Sequence, residues 1–308
     1  MCFRTTPTLR AYVETYDSLL APLEKRPPLV VAYGMGVDST AMLVEMARLG
    51  IRPDLILFAD TGDENPETYN YLSVINAFLR ANGFPAVIVV RRLPTRSRKS
   101  GMVYRTLGEN CVANETLPSL AFGRKGCSQK WKREPQDKYV NGWEPARAAW
   151  VRGHKVVKLI GYDAGPKDAR RSKIADDAKY TYLYPLREWG WDRERCVAEI
   201  KRAGLPVPPK SACVFCPATK PEELEALIRR DVQVAYKIIG MEAVAAPNLK
   251  KIAGLWRKAT KKRPGAMTPF VREVLRRIAD EEARGVVRST ALRVLREDAV
   301  PTCSSLCG

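Results

Sequence analysis

Histidine is almost absent from this sequence: His154 is the single one in 308 residues. That excludes His-rich metal sites and speaks against a Ser-His-Asp hydrolase. Long apolar runs are missing too. Pieces such as Leu29–Tyr33 and Ala86–Val90 are strand-sized, far below the ~18 consecutive residues of a membrane span. Met1–Arg10 lacks the apolar core of a signal peptide, so a cytoplasmic protein with no membrane partner is expected. Acidic groups are scarce: 34 Asp and Glu face 52 Lys and Arg, a net charge of +18. Hydrophobic residues at 45% and charged residues at 28% nevertheless exclude a disordered chain.

The positive charge is uneven. Residues 1–90 carry 7 basic and 10 acidic groups, residues 91–205 carry 26 and 13, and residues 206–308 carry 19 and 11. The excess therefore sits on whatever surface the later two-thirds build, and such a surface attracts nucleic acid or is simply solvated. Trp131, Trp143, Trp150, Trp189 and Trp191 interleave with these cations, which suits either stacking on bases or a core. Lys250, Lys251, Lys258, Lys261, Lys262 and Arg263 form a further basic stretch fit for a phosphate backbone.

Strand and helix patterns alternate. Strands are expected at Leu29–Tyr33, Asp54–Ala59, Ala86–Val90 and Val156–Ile160, with a further one at Tyr182–Leu186. Helices are expected at Asp38–Leu49, Pro66–Asn82 and Asp192–Ala203, the first two ended by Gly50 and Gly83. This pattern gives an α/β fold: a Rossmann-like parallel sheet with helices on both faces, ligand site at the carboxyl ends of the strands. After the prolines at 206, 208 and 209 the chain turns helical, at Pro221–Ile239, Asn248–Lys258, Pro269–Arg284 and Arg288–Arg296. The expected organisation is 1–26 helical segment and linker, 27–205 nucleotide-binding domain, and 206–308 Cys-x-x-Cys segment with a basic helical region.

The first strand runs into Gly34-Met35-Gly36-Val37-Asp38-Ser39-Thr40 and a helix follows at once. Glycines there let backbone N–H groups approach a phosphate at a helix N-terminus. The Gly-Lys-Ser/Thr ending of a Walker loop and the G-x-G-x-x-G dinucleotide fingerprint are both absent. A plain glycine turn is the bland alternative. The second strand ends in Asp60-Thr61-Gly62-Asp63-Glu64-Asn65-Pro66-Glu67-Thr68.

Taken together, these segments resemble the PP-loop ATP pyrophosphatases of the adenine nucleotide alpha hydrolase-like (HUP-type) superfamily, and within it the PAPS reductase branch. The resemblance runs through Cys127, Lys132 and Pro135, Gly161, and Cys213-Val214-Phe215-Cys216-Pro217, covering roughly residues 27–220. It implies that Tyr33, Gly34, Met35, Gly36, Asp38, Ser39 and Thr40 cradle the phosphates of Mg²⁺-bound ATP. It implies further that Asp60, Thr61, Gly62 and Glu64 lie beside the adenosine, and Gly161 near the ribose. Lys132 and Arg170 or Arg171 would face the phosphates, with Asp38, Lys132 and Arg171 as the catalytic set. There are departures. Gly34 and Met35 stand where the family has Ser-Gly, and Gly161-Tyr162-Asp163 stands where the reductases have Gly-x-Arg. The tail Thr302–Gly308 lacks the reductases' Glu-Cys-Gly-x-x-His pattern.

Eight cysteines occur, at 2, 111, 127, 196, 213, 216, 303 and 307. Cys-x-x-Cys followed by Pro is a metal or Fe–S half-site, or two packed thiols. The resemblance adds Cys127, whose neighbour Ser128 replaces the family's fourth thiol. Cys111 is the expected replacement and Cys196 the weaker one. The set Cys111, Cys127, Cys213 and Cys216 would hold a [4Fe–4S] cluster, with Zn²⁺ as the alternative.

The expected function is therefore an ATP pyrophosphatase that adenylates an acceptor, DNA or tRNA, for sulfur transfer. A cysteine desulfurase or another donor would supply the sulfur. The alternatives are a sulfite-forming PAPS/APS sulfonucleotide reductase and an inactive nucleic-acid-binding module of the same fold.

Overall fold

A computed structural model of the chain describes residues 8–16, 22–124, 126–169, 174–261 and 264–285. In chain order, α1 (Leu9–Tyr16), β1 (Leu29–Ala32), α2 (Val37–Arg48), β2 (Leu55–Asp60), α3 (Pro66–Ala81) and β3 (Val87–Arg91) come first. The pair β4 (Thr95–Arg96) and β5 (Val103–Tyr104) precedes α4 (Leu107–Ala113), α5 (Glu134–Gly142) and α6 (Glu144–Val151). Then follow β6 (Val156–Ile160), α7 (Pro166–Ala169), β7 (Tyr180–Leu183), α8 (Pro185–Glu188) and α9 (Arg193–Arg202). The last elements are α10 (Pro221–Arg230), α11 (Gln233–Ala245) and α12 (Thr268–Ala283).

These residues fall into two compact units. One takes the chain up to Leu93 together with Ser128–Ala212; the other takes Pro94–Cys127 together with the chain from Cys213 onward. The 27–205 expectation thus differs from the packing at both ends of an insertion. Residues 94–127 go with the C-terminal unit because α4, which buries Leu107 and Cys111, packs against α11.

The first unit holds a five-stranded sheet in the order β3-β2-β1-β6-β7, every pairing parallel. Its two faces carry separate cores. Leu29 and Val31 point to one face, with Met42 of α2, Ile75 of α3 and Ile200 of α9. Val30 and Leu57 point to the other, with Val140 of α5 and Ala146 of α6. The α/β fold with helices on both faces is therefore as expected, and β2 is buried at every position, as a central parallel strand should be. Helix α3 starts where the sequence marks it: Asn65 Oδ1 accepts from Glu67 N–H, and Pro66 takes the first position.

The second unit is mainly helical, and two of its elements depart from expectation. The single helix at 221–239 is two, because Asp231 is extended and caps the Gln233 N–H. The helix at 248–258 does not form. There the buried Glu242 draws backbone N–H groups of Leu255 and Met267 to its carboxylate, and the loop folds around it. The Arg288–Arg296 helix lies outside the described residues. No described helix is long and apolar enough to cross a membrane.

Candidate functional site

The loop after β1 is built from its own side chains. Ser39 Oγ accepts from Gly34 N–H at 3.2 Å and donates to the Gly36 carbonyl, also at 3.2 Å. Thr40 is spent inside, its hydroxyl 2.9 Å from the Tyr33 hydroxyl, and both residues are buried. Burial also pushes the Tyr33 phenol far up, so it stays neutral. Met35 holds a left-handed turn at φ 57° with its side chain wholly buried. Gly36 precedes the twelve-residue α2 with no side-chain cap, so the first N–H groups of that helix have no capping partner from Gly36. A Cβ at Gly34 would come no closer than 3.7 Å to another residue, and one at Gly36 no closer than 3.9 Å. Packing does not demand these glycines, whereas close approach of a ligand to the backbone would.

Gly161, just past β6, is a different case. A Cβ there would stand 2.9 Å from Ser39 Cα and 3.0 Å from its N. Only glycine lets the end of β6 lie against the first turn of α2. The consequence is a cluster: carboxylate oxygens of Asp38, Asp163 and Asp168 lie within 4.8 Å of one another. Asp163 and Asp168 are buried and Asp38 is half-buried. Asp38 also meets the Arg193 guanidinium, at the start of α9, at 2.8 Å. Burial raises the Asp38 pKa, Arg193 opposes that, and Asp163 and Asp168 add to it. The cluster stands where β1 pairs on one side with β2 and on the other with β6, the point of an open parallel sheet where ligands bind. Three crowded carboxylates are an oxygen donor set that fits Mg²⁺.

The end of β2 is satisfied internally. Asp60 accepts from Gly62 N–H at 2.7 Å, from the Tyr69 hydroxyl at 2.7 Å and from Arg91, its register partner on β3, at 2.6 Å. Glu64 meets Lys132 Nζ at 2.9 Å and the hydroxyls of Thr61 and Ser211 at 3.2 and 3.4 Å. Lys132 reaches it from a π-helical turn, Ser128–Arg133, that leads into α5. So Asp60, Glu64 and Lys132 form an internally bonded wall, while Asp38 and Gly161 come together. Arg170 and Arg171 lie outside the described residues. Sequence reasoning missed Asp168 and Arg193 as site members and saw Asp163 only as a departure. Its position two residues after Gly161 was the available signal for Asp163; nothing local marks Asp168 or Arg193.

Cys111, Cys127, Cys213 and Cys216 all belong to the second unit, and all are reduced thiols. Ser119 Oγ holds Cys127, 3.1 Å from its sulfur and 2.7 Å from its N–H. Among the described residues no three of these sulfurs gather within 4.8 Å as the aspartates do. One tetrahedral Zn²⁺ would need sulfurs about 3.8 Å apart, so they are not poised for it. A cubane cluster holds its thiolates farther apart. Cys196 is elsewhere, buried in α9 of the first unit, its thiol pushed up to about 12 by burial, Asp38 and Asp163. Cys2, Cys303 and Cys307 lie outside the described residues.

The tryptophans are not a stacking platform. Trp131 and Trp191 are buried and Trp143, Trp150 and Trp189 half-buried. Arg92 lies over Trp131, and Lys179 over Trp150. Their spacing serves the core of the first unit.

The fold and the loop thus define an α/β protein with an anion-suited turn and an acidic trio at the sheet's switch point. Compared with models of known protein families and with curated proteins, the sequence finds no match to either.

Proposed function

We propose that the protein is an ATP pyrophosphatase of the PP-loop, PAPS reductase-like kind that adenylates a nucleic acid, DNA or tRNA, for sulfur transfer. The observation that carries this reading is the pairing of an open glycine loop with the Asp38–Asp163–Asp168 cluster at the switch point. Backbone N–H groups of the loop and of the first turn of α2 would bind the phosphates of ATP. Asp38, Asp163 and Asp168 would hold Mg²⁺, which when bound offsets the phosphate charge. Arg193, half-exposed beside Asp38, then exchanges its carboxylate for a phosphate oxygen. An acceptor oxygen attacks the α-phosphorus, the bond to the β-phosphate oxygen breaks, and pyrophosphate leaves with that electron pair. A sulfur nucleophile from a donor such as a cysteine desulfurase next displaces AMP. The protein's part is positioning and charge.

Support for a [4Fe–4S] cluster is narrower: the insertion carrying Cys111 and Cys127 packs with the chain that begins at Cys213. Iron and sulfide analysis of anaerobic protein tests it, zinc being the other outcome. The reading puts the protein in the cytoplasm, where ATP, nucleic acid and reduced thiols occur together. The test of function follows labelled ATP and labelled PAPS in parallel, with and without DNA and tRNA. AMP and pyrophosphate, stimulated by one nucleic acid, are expected. Sulfite from PAPS with ATP untouched would make it a reductase, and nucleic-acid binding with neither reaction would make it a binding module.

A further inference from the structure

Residues 243–272 contain eight basic residues and no acidic one. The same unit shows what an ordinary basic face looks like. On α10 and α12, Arg229 pairs with Glu225 and Glu281, Arg276 with Glu273, and Arg277 with Glu225. On the loop between α11 and α12, Lys250, Lys251, Arg257, Lys258 and Lys261 are all exposed. None of the ion pairs among the described residues involves them. Lys262 and Arg263 lie outside the described residues.

This loop is held firmly. Glu242, buried, accepts N–H groups of Leu255, Met267 and Thr268 at 2.7–2.8 Å and the Thr268 hydroxyl at 2.6 Å. Trp256 is buried and donates its indole N–H to the Thr219 carbonyl at 2.9 Å. Gly254 allows the tight turn, since a Cβ there would lie 2.4 Å from Glu242 Oε1 and 2.6 Å from Ala266 Cα. Arg257 follows in a left-handed conformation, φ 70°, and its guanidinium covers Gly123 so closely that a Cβ there would meet it at 2.8 Å. That brings the exposed Arg124 beside the loop, with Phe122, 38% exposed, two residues earlier.

Unpaired cations gathered on a rigid frame repel one another and lack a counter-charge of their own. We propose that the loop of Lys250–Lys261, with Arg124 and Phe122, is the surface on which this protein holds a nucleic acid strand. Cations would contact phosphates and Phe122 would stack on a base. The inference rests on the nucleic-acid acceptor of the preceding section and names where that acceptor is bound. A membrane surface is the less favoured polyanion, because Leu255 and Trp256 are buried and Ile252 is half-buried, which leaves the loop no fully exposed large apolar residue to insert.

The test measures binding of a labelled single-stranded oligonucleotide, a labelled duplex, tRNA and phosphatidylserine vesicles over a range of salt. The variant Arg257→Gln/Lys258→Gln/Lys261→Gln is compared with an equal charge change on the first unit, Arg52→Gln/Arg80→Gln/Lys201→Gln. For single strands the loop variant should lower the slope of log K against log salt by about 2, at about 0.7 for each phosphate no longer neutralised. Affinity should fall at least about ten-fold, the control triple should leave the slope nearly unchanged, and Lys258→Arg/Lys261→Arg should bind as wild type. A loop variant no weaker than the control, or binding of vesicles but no nucleic acid, overturns the inference. ATP cleavage without nucleic acid is followed alongside. Loop-dependent binding with no cleavage by wild type would sink the adenylating reading and leave this one standing.

Discussion

Two sets of carboxylates stand at the carboxyl ends of adjacent strands, in opposite surroundings. Asp60 and Glu64, after β2, are met by an arginine, a lysine, hydroxyls and a backbone N–H. Asp38, Asp163 and Asp168, after β1 and β6, face one another; Arg193 meets Asp38, and Asp163 accepts the Gly165 N–H at 3.0 Å. Asp38, Asp60 and Glu64 lie in segments that mark a nucleotide site in the sequence, whereas Asp163 and Asp168 do not. On the proposed function, the contrast separates a wall from the carboxylates that would hold Mg²⁺. A carboxylate bonded on every side serves the fold, whereas one raised in pKa by burial and like charges is poised for a cation.

The largest expected break in this contrast is chemical. Asp38→Asn should lower ATP cleavage by roughly a hundred-fold or more, the scale for losing one preorganised electrostatic group, measured as labelled pyrophosphate released. The same variant should melt higher than wild type at neutral pH. Folding raises the Asp38 pKa above 3.8, so within that window the native state holds more protons than the unfolded chain. Wild-type stability therefore falls as pH rises through the window and remains lower above it, a loss Asp38→Asn removes. Melting curves across pH check the sign.

Asp60→Asn should do the opposite, costing about 3 kcal/mol by leaving Arg91 and Tyr69 facing a buried amide. Denaturant titration reads that loss. Gly161→Ala should cost about 1–3 kcal/mol, the scale of overpacking against backbone that cannot yield. It should also raise the KM for ATP by shifting Ser39. The smallest effect belongs to Arg193→Gln. Its side chain is 54% exposed, so stability should change by no more than about 1 kcal/mol, while the KM for ATP rises. An unchanged KM would mean that Arg193 only neutralises Asp38.

The parallel sheet was legible because each strand is a short apolar run and each helix has its own punctuation, such as Asn65-Pro66 or Gly50. The glycine loop and Asp38 were legible because they are contiguous. Arg193 was not, since it meets Asp38 from 155 positions away. Lys132 was legible as a cation near the site, but its partner Glu64 was not, because both lie in segments read as ligand-facing. The expected helix at 248–258 failed for a tertiary reason: Glu242 on α11 takes the Leu255 N–H from within the segment and those of Met267 and Thr268 beyond it, so the chain loops around the carboxylate. The tryptophans misled because spacing among cations does not say which face is covered.

Met35 carries one more consequence. Its side chain is locked in the core while its backbone sits in a conformation that only glycine adopts at ease. The ordering entropy of this turn is thus settled during folding, and nucleotide binding has little left to freeze. Calorimetry of wild type should show a small entropic penalty for ATP, and Met35→Gly, with a looser turn, a larger one.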